Sequence, residues 1–291
     1  MKLSIVTINY NNAEGLERTL NSVLTQSYSE IEHIIVDGAS ADDSARVIKE
    51  YVQKVESGRW KVKSVMWSSE PDNGIYDAMN KGIRKATGDY VWILNSGDEA
   101  AASDVVERMM EALQNGGNGE NGGVPMLLGN IVKVFSKKKK VSEKKMRDAK
   151  KPMPLDVSML TFYQGTVPQD AAFVKRDLFK RYGLFDDKLK IVSDWKLYLN
   201  MIALGDIVPM YVDIDVVLFD MTGVSNANME RRNAEKRAYL EEVLPSSVLK
   251  DYDAHAFDAE QMNRLRKHHL YGLVYFIERV MFKLEKWGIL R

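Results

Sequence analysis

The residues best placed to do chemistry follow three apolar runs. Residues 90–94 read as a buried strand and lead into Asn95-Ser96-Gly97-Asp98. Residues 3–8 lead into Asn9-Tyr10-Asn11-Asn12, and residues 31–36 into Asp37-Gly38-Ala39-Ser40. In a parallel α/β sheet the carboxyl ends of strands share one edge, and ligands settle there. Thr7, Asn9, Asp37, Asn95 and Asp98 are therefore expected to line one cleft. Such a cleft is acidic, and a hard carboxylate oxygen from Asp98 suits Mg²⁺ or Mn²⁺, which take one or two protein carboxylates and complete their shell from water and phosphate.

The elements that must hold these residues alternate between strand and helix signals over the first hundred positions, the pattern of βαβ units. Asn11 or Asn12 can cap a helix whose Leu16, Leu20, Val23 and Leu24 share a face. Ser40, Asp42 and Asp43 can start a second helix through Tyr51, and residues 61–67 offer a further strand. Ile75, Met79 and Ile83 recur every four residues behind the Pro71-Asp72-Asn73-Gly74 turn, giving a helix that ends near Gly88. Its N-terminus is suited to an anion such as phosphate. Taken singly, these acids have plainer assignments: Asp37 and Asp72 as turn formers, Asp98 as a cap for the helix containing Val105, and Asp194 as the cap of a helix from Trp195.

The chain has 291 residues, 45% of them hydrophobic, enough for one large domain with an appendage. It has no cysteine, which excludes disulfides and thiolate metal sites and suits a reducing, cytoplasmic setting. Its 41 basic and 41 acidic residues argue against an electrostatic nucleic-acid binder. Neither a signal peptide nor a spanning segment is evident.

The ordered set Ser4 to Asn11, Ile35 to Asp42, Ser69 to Gly82 and Leu94 to Asp98 resembles glycosyltransferase family 2. The segments Asp170 to Arg176, Tyr182 to Asp186 and Val192 to Trp195 resemble that family's acceptor side, and Thr222-Gly223-Val224-Ser225 its closing loop. The resemblance covers residues 1–226. It implies a GT-A Rossmann-like mixed sheet flanked by helices, with residues 227–291 as a C-terminal helical extension. It also implies an inverting transferase that moves a sugar from a nucleotide-diphosphate donor, a UDP-sugar, to a saccharide or lipid-linked saccharide in surface polysaccharide synthesis. By the same resemblance Asp98 holds Mn²⁺ or Mg²⁺ and Asp194 is the base. Thr7, Asn9, Tyr10, Asp37, Ser40, Asp72, Asn73, Gly74, Asp77, Asn80, Lys81, Asn95, Ser96, Gly97 and Trp195 contact substrate, and Tyr163 and Tyr198 join Trp195 as candidates to stack on a sugar.

Two departures stand out. Gly97 occupies the place of the first acid in a two-acid metal motif, and Gln169-Asp170 stands where relatives carry His-Gln. A catalytically silent nucleotide-sugar binding or membrane-docking module thus stays open. A sugar-nucleotide pyrophosphorylase is disfavoured because residues 7–12 lack a Gly-rich loop with a basic residue.

Beyond the cleft, residues 115–123 read as a loop and 126–135 as a strand. Residues 137–151 are dense in lysine and read as a solvated loop, or as a strip for an anionic lipid carrier or membrane surface. In the tail, Leu270, Leu273, Val274, Ile277, Met281 and Leu284 form an apolar stripe with Arg279, Lys283 and Lys286 interspersed. Packing on the catalytic domain, a partner helix and an in-plane membrane helix are the three uses it admits, and the last gives peripheral contact with the membrane. His268-His269 reads as surface.

Overall fold

In a computed structural model the described residues are 1–116, 123–135, 144–147, 157–221, 228–267 and 270–286. The first three strands, β1 (Leu3–Asn9), β2 (Ile31–Asp37) and β3 (Val62–Ser69), pair in parallel, with Asn9 opposite Asp37 and Asp37 opposite Ser69. β4 (Tyr90–Ile93) pairs in parallel with the other side of β1. β1, β2 and β4 are buried throughout, the signature of strands covered on both faces. The cover comes from α1 (Ala13–Leu24), α2 (Ser44–Glu56) and α3 (Ile75–Lys85), whose apolar faces carry Leu16, Leu20, Val23, Val47, Ile48, Tyr51, Met79 and Ile83. Helix α3 stops at Lys85, one turn short of Gly88.

Beyond β4 the sheet becomes mixed. β8 (Ala172–Lys175) runs antiparallel to β4 and to β6 (Met126–Phe135). β9 (Met210–Asp220) runs parallel to β6, and β5 (Glu99–Ala100) antiparallel to β9. The order is β3-β2-β1-β4-β8-β6-β9-β5. The lysine-dense segment expected as a loop contains β7 (Lys144–Arg147), an antiparallel partner of β6. The rest of that segment lies outside the described residues, as do 117–122, His268-His269 and the Thr222 to Ser225 motif.

Helix α4 (Val105–Asn115) follows β5 and is capped at Asp104, so Asp98 is not its cap. α5 (Met159–Gln164) opens with a capping box at Ser158, and α6 (Arg176–Tyr182) follows β8. α7 (Ser193–Tyr198) continues into a π-helical turn at Leu199–Ala203, so Asp194 lies inside the helix, behind Val192. Hydrogen-bond irregularities of this kind gather at functional sites.

The chain divides into two compact units, Met1–Lys236 and Arg237–Arg291. The division falls within α8 (Met229–Val243), ten residues beyond the end of the sequence resemblance. The second unit continues with α9 (Ser246–Lys267) and α10 (Tyr271–Lys286). On α10, Leu273, Val274, Tyr275, Phe276, Ile277, Val280, Met281 and Phe282 all stand exposed. Among the described residues no helix is long and apolar enough to cross a membrane.

Candidate functional site

The parallel register brings the ends of β1 and β2 level, and a dense polar cluster forms there. Asn9 Nδ2 donates to Asp37 Oδ1 at 2.7 Å and to Ser44 Oγ at 2.9 Å. Asp37 also accepts from the Ser40 amide and hydroxyl at 3.0 and 2.5 Å and from the Ser69 hydroxyl at 2.6 Å. Burial alone would raise the Asp37 carboxyl, but these donors hold it below its ordinary range. A carboxylate offers about four acceptor positions, and the protein fills them. A base or ribose would have to displace a serine hydroxyl, so Asp37 chiefly shapes the loop. Thr7 departs further from expectation: it is fully buried and shares a 2.9 Å hydrogen bond with His33 Nε2, away from solvent. Tyr10, in contrast, is 67% exposed and offers an open ring beside this cluster.

The turn at residues 95–98 is built from beneath by α1. Asn12 Oδ1 caps α1 through the Gly15 amide, while its Nδ2 donates to the Ser96 carbonyl at 3.2 Å. Thr19 Oγ1 donates to the Asp98 carbonyl at 2.6 Å and accepts from the Gly97 amide at 3.0 Å. Gly97 adopts φ +105°, a conformation rare for any residue with a Cβ. The missing acid of the motif thus has a local cause, since the turn itself calls for glycine.

Asp98 is 5% exposed, and its Oδ1 accepts the Asp220 amide at 2.9 Å. Asn95 Nδ2 donates to Asp170 Oδ1 at 3.1 Å, while Asn95 Oδ1 is buried without a partner. Asp170 is set by the short 3₁₀ turn Gln169–Ala171, whose position is fixed by Trp92 Nε1 donating to the Asp170 carbonyl at 2.7 Å. Burial raises both carboxyls, Asp98 further through repulsion from Asp170 and Asp170 through repulsion from Asp194. Arg18 lies 3.4 Å from Glu99 and 3.6 Å from Asp220, offsetting those two acids. Among the described residues neither Asp98 nor Asp170 has a cationic partner. A hard divalent cation fits this donor set: two carboxylates, one buried and one half-buried, with surplus negative charge, and a buried amide oxygen with no partner among the described residues. No group of three metal-ligating acids or histidines occurs among the described residues.

Across the cleft, burial also raises Asp194. The Tyr76 hydroxyl lies 3.0 Å from Asp194 Oδ1 and 2.7 Å from the Ile191 carbonyl. Glu235 holds the same segment by accepting the Lys190 and Ile191 amides at 3.2 and 3.1 Å. Asn80, expected to touch donor, is buried and clamps Phe185 instead, donating to its carbonyl at 2.8 Å and accepting its amide at 3.0 Å. Asp72, Asn73, Gly74, Asp77 and Lys81 close on one another around the start of α3. The Gly74 amide donates to Asp72, the Asn73 amide to Asp77, and Lys81 Nζ to the Pro71 carbonyl.

Trp195 is 1% exposed, donates from Nε1 to the Phe162 carbonyl at 2.9 Å, and lies under Lys236 Nζ at 4.9 Å. Tyr198 is buried as well. Neither presents an open face to a sugar, so the stacking expected of them is not met, and Tyr163 is the half-buried member of that trio. The site residue missing from the expected set is Asp170, whose signal in the sequence was its place in the Gln169-Asp170 departure from His-Gln.

The sequence matches the family described as glycosyl transferase family 2 over residues 4–183. An uncharacterised glycosyltransferase of Mycobacterium tuberculosis is 33% identical over 225 residues, 77% of each chain. A PGL/p-HBAD biosynthesis glycosyltransferase of Mycobacterium bovis is 22% identical over 78% of this chain and 80% of its own. Among solved structures, Staphylococcus aureus TarS in complex with UDP-GlcNAc matches with a TM-score of 0.57 at 17% identity, over 79% of this chain and 62% of that one. The mannosyltransferase PcManGT from Pyrobaculum calidifontis, in complex with GDP-Man and Mn²⁺, matches with a TM-score of 0.55 at 18% identity, over 81% of this chain and 61% of that one. The matched region therefore spans about three-fifths of those structures. The chain belongs to glycosyltransferase family 2 and has the GT-A fold.

Proposed function

We propose that this family 2 glycosyltransferase transfers a sugar with inversion from a nucleotide-diphosphate donor, a UDP-sugar, to a hydroxyl of a saccharide or lipid-linked saccharide in surface polysaccharide synthesis. The observation that carries the reading is the run of mutually repelling carboxylates Asp98, Asp170 and Asp194, the first buried and the other two half-buried, with no cationic partner for Asp98 or Asp170 among the described residues. UDP-GlcNAc and GDP-Man in the two solved relatives support a nucleotide-sugar donor. The exposed Tyr10 ring suits a nucleobase, and the loop ordered by Asn9, Asp37 and Ser40 would flank it.

Asp98, with Asp170 and Asn95 adjacent, would hold Mn²⁺ or Mg²⁺. When bound, such an ion supplies charge neutralisation for the departing diphosphate. Asp194 receives the proton of the attacking hydroxyl. The acceptor oxygen bonds to the anomeric carbon as the bond from that carbon to the phosphate oxygen breaks, so one base suffices and configuration inverts. The raised Asp194 carboxyl fits this task, since a base works best with a pKa nearer the operating pH. A panel of nucleotide sugars, screened for Mn²⁺-dependent thermal stabilisation and then for slow donor hydrolysis, tests the reading. Stabilisation by none of them overturns it, and binding with no hydrolysis or transfer leaves the silent binding module.

The second unit supports peripheral membrane contact. Phe276, Phe282, Tyr275, Ile277 and Met281 of α10 are exposed beside Arg279, Lys283 and Lys286, the composition of a helix lying in an anionic interface. Sedimentation with phosphatidylglycerol vesicles should carry down the full chain but not a variant lacking residues 264–291. Failure of the full chain to sediment refutes membrane docking.

A further inference from the structure

The charges on α8 are arranged against the usual economy. On its exposed side Arg231 pairs with Glu235 at 2.9 Å, and Arg237 pairs with Glu241 and Asp253, each at 2.7 Å. Arg232 and Lys236 are half-buried, where an unpaired cation costs more, yet among the described residues they have no such partner. Arg232 Nε is buried without any acceptor. Lys236 Nζ donates to the Gly165 carbonyl at 2.8 Å and rests over the Trp195 ring, contacts that hold an ammonium without neutralising it. The two cations are four residues apart and so share a helix face, where like charges repel. Burial, and then the Arg232 charge, pull the Lys236 ammonium down to about 8, while Asp194 opposes them. The Trp195 ring beneath the ammonium belongs to the residue that directly follows the proposed base, Asp194.

Arginine and lysine on one face, with the arginine Nε left without an acceptor among the described residues, match a tetrahedral oxyanion. We infer that Arg232 and Lys236 bind a phosphate group on the acceptor side, so that the acceptor is a glycosyl phosphate or diphosphate whose phosphate lies close to the hydroxyl that is glycosylated. This inference rests on the assignment of Asp194 to the acceptor side. The donor diphosphate has its own station at Asp98, across Asp170 from the base. A phosphate near Lys236 also selects acceptors whose attacked sugar is the one bearing the phosphate, and disfavours the distal end of a long glycan.

The test is calorimetry on the full chain, with UDP and Mn²⁺ already bound. The probes are N-acetylglucosamine 1-phosphate, the farnesyl diphosphate glycoside of the same sugar, and free N-acetylglucosamine. Wild type should bind both phosphorylated probes at least tenfold more tightly than the free sugar. Arg232→Gln and Lys236→Gln should each lose that preference while keeping UDP affinity within twofold. Tighter binding of the prenyl glycoside than of the sugar phosphate identifies a lipid-linked source, and equal binding identifies the phosphate alone as what is recognised. Loss of UDP affinity in either variant assigns the pair to the donor and overturns the inference. So does phosphate-probe affinity that is absent in wild type or unchanged in the variants. If Lys236→Gln does not fold, Arg232→Gln and Arg232→Lys decide by the same criteria. The readout needs no turnover, and repeating it without UDP separates its failure from failure of the donor reading.

Discussion

Replacing Tyr76 with Phe deletes one hydroxyl and isolates what it does for the base. That hydroxyl carries one proton and faces two acceptors, the Ile191 carbonyl at 2.7 Å and Asp194 Oδ1 at 3.0 Å. When Asp194 is ionised the two acceptors compete for one proton. A hydrogen bond to a charged group contributes about 1.5–3 kcal/mol. Sharing the proton about halves that, to about 1 kcal/mol, and at about 1.4 kcal/mol per pKa unit the charged form loses about half to one unit on substitution. The sign is fixed: the Tyr76 hydroxyl lowers the Asp194 carboxyl, so its removal lifts a group that burial has already raised. The assay is the pH profile of kcat/KM for donor hydrolysis or transfer. Its acid limb should move up by about half to one unit, with the high-pH plateau close to wild type. An acid limb that stays in place, or a plateau that falls together with the limb, refutes the reasoning, the latter because it marks general disruption.

Other perturbations probe the metal side and the scaffold. Asp98→Asn should abolish the Mn²⁺-dependent gain in UDP affinity by titration calorimetry. Without metal, the folded wild type keeps protons on the raised Asp98 and Asp170 that the unfolded chain has released, so its stability falls as pH rises above the ordinary carboxylate range. The Asn variant should accordingly melt above wild type at alkaline pH, and a lower melting point there would count against a buried surplus of charge. Gly97→Asp restores the usual first acid but forces a side chain onto a backbone at φ +105°, costing about 1–3 kcal/mol, so thermal melts should drop with no gain in metal affinity. Asn80→Ala removes both bonds to Phe185 and should lower stability by about 2–4 kcal/mol in urea titration, with donor affinity kept once folded; a selective loss of donor affinity would return Asn80 to the donor site.

The strands were legible because buried strands read as continuous apolar runs: the 126–135 run matches β6 to the residue, and those at 3–8 and 31–36 stop one residue short of β1 and β2. The misses share a cause. β5 is two residues long and exists only because β9 lies beside it, and β7 draws its lysines into a strand through pairing with β6. Neither signal resides in local composition, since pairing across more than a hundred residues in one case supplies what propensity lacks. The tail stripe was legible as a periodicity, and a pattern states which residues share a face and not what covers it.

For the site, the residue types were visible and their directions were not. Thr7 and Asp37 sit where strand ends must meet, yet period-two alternation and local donors turn their oxygens inward, to His33 in one case and to Ser40, Ser69 and Asn9 in the other. Asn80 falls in the motif but faces Phe185, so its amide joins α3 to the segment that leads to the base. Tyr76, one turn earlier, faces Ile191 and Asp194 from the same helix. A motif that reads as a donor-binding string is thus, in three dimensions, a strut. Its first turn closes around Asp72, Asp77 and Lys81, and its inward face fixes where Asp194 stands. The spacing of Tyr76 and Asn80, four residues on one helical face, follows from that second duty, because both must reach the 185–194 segment at once.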